Sequence, residues 1–358
     1  MLGHDRNMEP LRVALIGYGL GGAAFHAPLI SAVPDLELAA VVTANPERQA
    51  AVRRRYPDTA VLDDVGRLWE SAGSYDLVVV TTPNRQHTPL ATAALTAGLP
   101  VVIDKPVAAT ASDARSLAAL ADARGLIAVP FHNRRWDGDF RTVRSLITGG
   151  DLGTVLRFES RYERWRPQVK PGWKESADPA DAGGILYDLG SHLIDQAVML
   201  FGRPLRVYAE LDLRRPGALA PDDAFVALTH SGGVRSHLWM SSVAARLGPR
   251  FRVLGDRAGY VVYGLDVQEE ALRAGRTPTG DPNWGRVPVG AYGTAGVPEA
   301  APPVPTRPGA YQEFYLAVGG AVRGAGPPPV ALADAITGLE VIEAAMRSAR
   351  AGTSVPLD

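Results

Sequence analysis

Residues 11–22 read LRVALIGYGLGG, an apolar run that ends in three glycines with the spacing G-x-G-x-x-G. The apolar run is typical of a buried strand, and the Ala-rich stretch after the glycines has helical spacing. In such a turn Gly17 allows the tight bend, Gly19 lets the backbone approach a phosphate, and Gly22 permits close helix packing. The sequence therefore predicts a dinucleotide-binding turn, with the helix N-terminus stabilising the pyrophosphate.

Further apolar segments follow in the first third of the chain and alternate with Ala- and Leu-rich stretches of helical spacing. Strands that alternate with helices are typical of a parallel, doubly wound sheet. We therefore predict an α/β protein whose residues 1–130 form an NAD(P)-binding Rossmann domain. The predicted strands after the first one are 36–42, 76–82, 99–104 and 126–131.

The pattern changes after residue 131, where short segments rich in Val, Leu, Phe and Tyr follow one another through short turns. Ser231-Gly232-Gly233 lies between two of them and is typical of a hairpin. Residues 131–358 are predicted to form an α+β domain with a large, mostly antiparallel open sheet, for substrate binding and oligomerisation. The predicted strands are 155–164, 205–212, 224–230, 234–240, 251–255 and 259–263.

This open sheet has apolar residues on both faces, so a second element must cover each face. We expect helices on one face and a partner subunit on the other, in a homodimer or homotetramer. Residues 294–308, GTAGVPEAAPPVPTR, are predicted to be a loop because of their Pro, Ala and Gly content. A core helix is predicted after Pro329, with apolar positions Leu332, Ile336, Leu339, Ile342 and Ala345.

The composition excludes several classes of protein. Hydrophobic residues make up 46% and charged residues 21%, which is globular composition, and no apolar run of 18 or more residues could span a bilayer. A net charge of -1 gives no general attraction to nucleic acid or membrane, and the absence of Cys excludes disulfides and thiolate catalysis. Because no secretory pattern opens the sequence, we expect a cytoplasmic protein that binds a small molecule, without nucleic acid or membrane partners.

The end of the second strand bears on the choice of cofactor. An acidic residue there accepts hydrogen bonds from the adenosine ribose of NAD and repels the 2′-phosphate of NADP. This sequence has Thr43-Ala44-Asn45-Pro46 instead, and the acid that follows, Glu47, falls on the next helix. The pattern favours NADP, with NAD as the alternative. Thr43, Ala44 and Arg48 are the candidate contacts.

Two other strand ends carry polar residues, Thr82-Pro83-Asn84 with His87 and Asp104-Lys105-Pro106. Ligands of open α/β sheets bind beyond the carboxyl ends of the strands, so both groups should lie beside the glycine turn. Only three of the 37 basic residues are Lys: Lys105, Lys170 and Lys174. Unlike Arg, a buried Lys can exchange protons near neutral pH, which favours a catalytic Lys105 over a solvated loop lysine. For Lys170 and Lys174, a chance position on the surface and a functional role fit the sequence equally well.

The stretch 183–202, GGILYDLGSHLIDQAVMLFG, reads as a helix with polar side chains in an apolar setting. Asp188 and His192 are four positions apart and should share a face, with Asp195 three positions further on. Buried polar groups are costly unless they contact a ligand, water or each other. Acid–base work by His192 is the favoured interpretation, ahead of a hydrogen-bonded core histidine and of a metal site, for which no third ligand is evident.

Four motifs occur in order along nearly the whole chain: Gly17-Tyr18-Gly19, Thr82-Pro83-Asn84 with His87, Asp104-Lys105-Pro106 and the stretch 184–195. Together they resemble the glucose-fructose oxidoreductase, inositol dehydrogenase and rhizopine-catabolism (Gfo/Idh/MocA) oxidoreductases, in particular the branch with NADP-dependent scyllo-inositol dehydrogenases. The resemblance implies catalytic roles for Lys105, Asp188 and His192 and a cofactor on the glycine turn. One position departs from the family, because Asp104 stands where Glu is usual.

The resulting hypothesis is hydride transfer between NAD(P) and a CH–OH carbon of a sugar, inositol or related polyol. In it His192 accepts the hydroxyl proton, Asp188 orients His192 or the substrate, and Lys105 stabilises the developing alkoxide, although Lys105 and His192 both remain candidates for the base. The alternatives are a regulator that binds both ligands without chemistry and a nicotinamide-dependent glycosidase. The predicted cofactor contacts are Gly17, Tyr18, Gly19, Leu20, Gly21, Gly22, Thr43, Ala44, Arg48, Thr82, Pro83, Asn84, His87, Asp104 and Lys105. The predicted substrate contacts are Asn133, Arg134, Trp136, Tyr162, Arg164, Trp173, Asp188 and His192.

Overall fold

The computed structural model describes residues 9–357, and its N-terminal part is built on a six-stranded sheet. The strands are β1 (Leu11–Ile16), β2 (Leu36–Val42), β3 (Ala60–Leu62), β4 (Leu77–Val80), β5 (Val101–Ile103) and β6 (Ala128–Pro130). All neighbours run parallel, in the order β3-β2-β1-β4-β5-β6. The predicted Rossmann sheet is confirmed, and the glycine turn follows β1 at the point where the winding reverses, which is where such sheets bind ligands.

Helices connect these strands, as the alternating pattern predicts. They are α1 (Ala27–Ile30), α2 (Pro46–Arg55), α3 (Val65–Glu70), α4 (His87–Thr96) and α5 (Ala111–Arg124). A π-helical turn, Gly21–His26, precedes α1. The side chain of Asn45 caps α2 by accepting a hydrogen bond from the Arg48 amide at 3.0 Å, which satisfies a free donor of the first turn. The strand β3 was not predicted, because three residues are too few to show an alternating pattern.

The C-terminal part is built on a nine-stranded sheet. Its strands are β7 (Val155–Glu163), β8 (Pro204–Asp212), β9 (Asp223–His230), β10 (Arg235–Ser241), β11 (Phe251–Gly255), β12 (Gly259–Val262), β13 (Gly293–Gly296), β14 (Pro303–Val304) and β15 (Val355–Pro356). The order is β14-β13-β12-β11-β7-β10-β9-β8-β15. Only the β7–β10 pair is parallel within this sheet, so the predicted antiparallel character is confirmed.

The remaining α-helices pack on one face of the nine-stranded sheet, and some of them also contact the helices of the six-stranded sheet. They are α6 (Gly138–Thr148), α7 (Ser191–Phe201), α8 (Gln268–Arg273), α9 (Gln312–Val322) and α10 (Leu332–Ala351). The predicted core helix is α10, which packs on α5, α7 and β8 with Leu339, Ile342 and Ala345 buried. In contrast, α9 packs on α1, so the C-terminal half adds a helix to the Rossmann sheet. The division at residue 130 stays a prediction.

Two predictions about local structure need correction. The segment 294–308 is not a loop throughout, because β13 and β14 pair at the outer edge of the nine-stranded sheet. An edge strand tolerates Pro303 and needs no alternating side chains, so the sequence shows no strand signal there. The predicted helix 183–202 divides into a π-helical turn, Leu186–Gly190, followed by α7. No helix within residues 9–357 combines the length and the apolar character needed to cross a bilayer.

Candidate active site

The glycine turn is held by close backbone packing against the end of β4. Gly17 has a φ of +102°, and a Cβ there would lie 2.7 Å from the carbonyl oxygen of Thr81. A Cβ on Gly22 would collide with the carbonyl oxygen of Gly17, and a Cβ on Gly21 with the Thr81 hydroxyl. At Gly19 a Cβ would meet only the Arg48 guanidinium, at 3.9 Å. The backbone at Gly19 is thus open to a ligand, and the turn fits the pyrophosphate of a dinucleotide.

Arg48 lies at the mouth of this turn. It belongs to the first turn of α2, beside Thr43 and Ala44 at the end of β2. Thr43 is buried, and its carbonyl accepts a hydrogen bond from the Gln49 side chain at 2.9 Å. Glu47 is exposed on α2, as expected, so no acidic side chain occupies the end of β2. The three predicted contacts for the adenosine end, Thr43, Ala44 and Arg48, therefore adjoin the glycine turn.

The polar residues after β4 connect several loops of the site. Asn84 is buried and donates hydrogen bonds to the carbonyls of Asp181 at 2.9 Å and Ala182 at 3.3 Å, leaving its own Oδ1 without a partner. The ring nitrogens of His87 lie 2.7 Å and 2.8 Å from the carbonyl oxygens of Pro106 and Thr82. His87 therefore connects the loop after β4 with the loop after β5, because its two ring nitrogens contact one backbone carbonyl in each loop.

Asp104 is fixed by three neighbours. Its carboxylate accepts hydrogen bonds from the Lys105 amide at 2.7 Å and from the Thr81 hydroxyl at 3.2 Å. The third neighbour is His26, whose Nε2 lies 3.5 Å away and whose Nδ1 contacts the Tyr315 hydroxyl at 2.5 Å. Burial alone would raise the pKa of Asp104, but hydrogen bonding and electrostatic interaction with His26, His87 and Lys105 outweigh it and hold the pKa below its usual value. Asp104, which stands where the family usually has Glu, therefore lies close enough to His26 to interact with its ring.

Lys105 links the two halves of the molecule. It follows β5, and its Nζ donates to the carbonyl of Asp188 at 2.6 Å and to Asp188 Oδ1 at 3.0 Å. Only 14% of its side chain is exposed. Burial lowers the pKa of Lys105, and the charge of Lys174 lowers it further, while Asp188 opposes both. Lys105 therefore has the mostly buried position that the sequence predicts, and its exchange of protons stays a prediction.

Asp188 contacts cations and not His192, so of its two predicted roles the structure gives no support to the orientation of His192. Besides Lys105, the Nζ of Lys174 lies 2.7 Å from Asp188 Oδ1, and Arg164 Nη1 lies 3.8 Å from Oδ2. Burial would raise the pKa of Asp188, but these charges outweigh it and hold the pKa well below its usual range. No hydrogen bond joins Asp188 to His192 in the described part of the chain. The spacing of four residues could not show this, because the cations that compete for the carboxylate come from other segments.

His192 is a buried, neutral imidazole. It is 6% exposed, its Nδ1 has no hydrogen-bond partner among residues 9–357, and its ring lies 6.4 Å from that of His132. Burial, with the nearby charges of Lys105 and Arg134, keeps the pKa of His192 well below its usual value. The carboxylate of Asp195 is bound to another residue, because both of its oxygens accept hydrogen bonds from Arg135. A neutral imidazole with a free nitrogen is able to accept a proton from a ligand.

The predicted substrate residues fall into two groups. Asp188 and Trp173 line a small cavity together with Lys105, Asn84 and Lys174, and Arg164 adjoins it through Asp188. The others are part of, or close to, a buried network in which Arg134 donates to the hydroxyls of Tyr162 at 2.8 Å and Tyr311 at 3.1 Å and to Glu269. The 3₁₀ turn that carries Arg134, Asn133–Trp136, also places Asn133 in a buried position and packs the half-buried Trp136 ring 5.6 Å from Phe314.

Two side chains of the site were not recognised from the sequence. His26 is a fully buried polar ring in the apolar stretch AAFHAPLI, which is the same signal that identified His192. Lys174 is one of only three lysines, but the sequence around it has no strand or helix pattern that would locate it in the fold. No group of three or more His, Cys, Asp or Glu side chains in the described ranges could hold a metal ion.

Comparison with known proteins agrees with this geometry. The NAD-binding Rossmann-fold model of the Gfo/Idh/MocA oxidoreductases matches residues 11–132, and the model of their C-terminal alpha/beta domain matches residues 144–357. The chain belongs to the Gfo/Idh/MocA oxidoreductase family. It is therefore an oxidoreductase with an NAD-binding Rossmann domain, and the resemblance seen in the sequence is confirmed.

Individual relatives cover the full chain. The oxidoreductase YdgJ of Escherichia coli is 41% identical over 96% of this chain and 97% of its own length. The scyllo-inositol 2-dehydrogenase (NADP(+)) IolW of Bacillus subtilis is 34% identical over 99% and 98%. The solved structure of the Bacillus subtilis oxidoreductase YvaA superimposes with a TM-score of 0.93 at 33% identity, over 99% of this chain and 100% of that one.

Proposed function

We propose that this protein is a dehydrogenase that oxidises a CH–OH carbon of a sugar, inositol or related polyol with NADP, with NAD as the alternative cofactor. One observation carries the proposal. The Nζ of Lys105, at the C-terminal end of β5, meets Asp188 in a cavity on the glycine-turn side of the sheet. A buried lysine with a lowered pKa at the edge where doubly wound sheets bind ligands is suited to handle a substrate proton.

The residues around the turn fit a dinucleotide. Gly17, Gly19 and Gly22 would receive the pyrophosphate, and Asp104 lies beside the turn, where a Cβ on Gly21 would be 3.0 Å from its carboxylate. The bound nicotinamide would supply the carbon that exchanges a hydride with the substrate. Arg48 would bind the 2′-phosphate of NADP. Support for NADP comes from the absence of an acid at the end of β2 and from the name of IolW, an NADP(+)-dependent relative.

Two groups of this chain are placed to take the hydroxyl proton. Burial keeps the pKa of His192 well below its usual value, and its buried Nδ1 has no partner among residues 9–357, while Lys105 is mostly buried and donates to Asp188. We assign the proton to His192 and assign to Lys105 the stabilisation of the negative charge that develops on the substrate oxygen. Asp188 orients the Lys105 ammonium through its carboxylate and its carbonyl.

We also propose that a second copy of the chain covers the open face of the nine-stranded sheet. Phe225, His237 and Trp239 form a half-buried ring cluster there, with ring centroids 5.1 to 5.9 Å apart, and the Arg161 guanidinium lies over Trp239 at 3.9 Å. Aromatic side chains on an open sheet face are often covered by a partner. Analytical ultracentrifugation should show a dimer or tetramer, and a monomer at micromolar concentration would contradict this arrangement.

The function is tested by following absorbance at 340 nm with NADP⁺ or NAD⁺ and a panel of inositols, aldoses and sugar acids. We expect reduced cofactor to form with at least one polyol, and with a higher kcat/KM for NADP⁺ than for NAD⁺. If the protein binds NADPH but reduces NADP⁺ with none of the panel, the proposal fails in favour of a regulator without chemistry. Release of an aglycone from a glycoside without accumulation of reduced cofactor would instead indicate a glycosidase.

A further inference from the structure

The cavity beside Lys105 holds more positive than negative charge. Asp188 Oδ1 is shared by two of the three lysines of the chain, Lys105 at 3.0 Å and Lys174 at 2.7 Å. Arg164 adds a third cation, 3.8 Å from the other carboxylate oxygen. One carboxylate therefore faces three cationic side chains, and at least one of them remains without a full counter-charge.

Neighbouring carboxylates do not restore the balance, because each has its own partner. Glu175 adjoins Lys174 in the chain but pairs with Arg215 at 2.7 Å. Asp181 adjoins the cavity residue Ala182 but pairs with Arg85 at 2.5 Å. Asp104 is directed at Thr81 and His26. The positive excess is thus a property of the substrate cavity itself.

Arg164 is the least satisfied of these cations. Its side chain is 22% exposed, and in the described part of the chain its guanidinium makes no hydrogen bond. Its Cζ lies over the Tyr162 ring, 5.0 Å from the ring centroid. The planar set of donors of a guanidinium that has no hydrogen bond to the protein matches a carboxylate.

We infer that the substrate of the proposed reaction is a sugar acid, whose carboxylate binds between Arg164 and Lys174 while its hydroxyl carbon faces Lys105. The inference rests on the proposed function and names the substrate class of the same site. Trp173, on the cavity wall, would cover the C–H surface of the ligand.

Binding is measured without turnover, by calorimetry on the full-length protein saturated with NADPH. The ligands are matched pairs that differ in charge, D-glucuronate with D-glucuronamide and D-gluconate with D-glucitol. We expect each acid to bind at least about tenfold more tightly than its neutral partner, equivalent to about 1.4 kcal/mol, with the difference shrinking as salt is added. Equal affinity within both pairs overturns the inference, as does tighter binding of D-glucose 6-phosphate, which would assign the cations to a phosphate.

Variants locate the charge recognition. Arg164→Gln and Lys174→Gln should each weaken binding of the acids about tenfold more than binding of the neutral partners. Lys170→Gln, an exposed lysine of the same segment, is the control and should change neither. Equal losses for acid and neutral ligands would assign both side chains a merely structural role and overturn the inference.

The two proposals fail in different ways. Charge-dependent binding without any formation of reduced cofactor contradicts the proposed function and supports the sugar-acid site. Turnover of neutral polyols with the same KM as the matching acids supports the proposed function and overturns the sugar-acid site.

Discussion

The glycine turn after β1 and the charged cluster around Asp188 are two halves of one site, but they are built by different forces. The turn contains no charged side chain between Gly17 and Gly22, and its shape follows from close contact with the backbone and hydroxyl of Thr81. The cluster depends on a carboxylate that is shared by Lys105, Lys174 and Arg164, which come from three different segments. The first region has no room for an added atom at Gly17, Gly21 or Gly22, whereas the second depends on its balance of charge.

This difference separates cofactor binding from chemistry. Steric fit at the turn holds the backbone amides where a pyrophosphate can bind, and it changes little with pH or salt. The cluster sets the proton affinity of Lys105 and His192, so it should respond to pH, salt and single charge changes. Substitutions in the two regions should therefore affect different measured constants.

The largest effect is expected at Lys105. Lys105→Met removes the ammonium that meets Asp188 and the substrate oxygen, and kcat should fall by roughly 10³-fold or more, given the typical size of charge-stabilisation effects. NADPH affinity, measured by fluorescence titration, should change less than about threefold. Such a change in binding free energy is smaller than the roughly 1.4 kcal/mol of a tenfold change in affinity. Lys170→Met is the matched control. A near-normal kcat would remove Lys105 from the mechanism.

The opposite pattern is expected in the glycine turn. Gly22→Ala forces a Cβ against the carbonyl oxygen of Gly17, and overpacking of this kind costs about 1–3 kcal/mol. NADPH binding should weaken by about ten- to a hundredfold, with a lower melting temperature, while kcat at saturating cofactor changes much less. Gly73→Ala is the control, because a Cβ there meets no atom within 4 Å. Unchanged NADPH affinity would show that the turn does not hold the cofactor.

A smaller effect, visible as a shift along the pH axis, is expected at Asp188. Its charge raises the pKa of both Lys105 and His192, so Asp188→Asn should lower both. The acid limb of the kcat/KM profile should then move to lower pH, whichever group is the base, because the unprotonated form persists further into acid. Asp58→Asn, an exposed position, is the control. A shift to higher pH would contradict the charge balance described for the cluster.

The smallest effect is expected at the adenosine end. Arg48→Gln should reduce kcat/KM for NADP⁺ about tenfold, since one phosphate contact is lost, and leave kcat/KM for NAD⁺ within about twofold. Arg53→Gln on the same helix is the control, because Arg53 is exposed and makes no ion pair among the described residues. Steady-state kinetics with both cofactors provide the comparison. An equal loss with NAD⁺ and NADP⁺ would show that Arg48 does not read the phosphate.

The contrast between the two regions also explains which features of the fold and the site were predictable from the sequence. The turn was predictable because its requirements lie within twelve consecutive residues, and the same local patterns predicted the parallel sheet and most of the antiparallel one. The strands β3, β13, β14 and β15 were missed because they are only two to four residues long and show no alternation.

The cluster was only partly predictable. Lys105, Asp188 and His192 were identified as a group, and Lys105 and Asp188 do meet, 83 positions apart in the chain. Of the two partners predicted for Asp188, His192 or the substrate, His192 makes no hydrogen bond with it in the described part of the chain, because helix spacing shows which side chains share a face but not which distant cation competes for them. Lys174 and His26 depend on tertiary contacts of this kind, so their partners could not be read from the chain.

The most direct test of the proposed function follows a labelled hydrogen from substrate to cofactor. The polyol or sugar acid of the panel with the highest kcat/KM is prepared with deuterium on its hydroxyl-bearing carbons and incubated with the protein and NADP⁺. The account predicts that one deuterium appears at C4 of the nicotinamide for each carbonyl formed, as read by mass spectrometry and NMR. Formation of product with no deuterium in the cofactor would contradict hydride transfer at the Lys105 site.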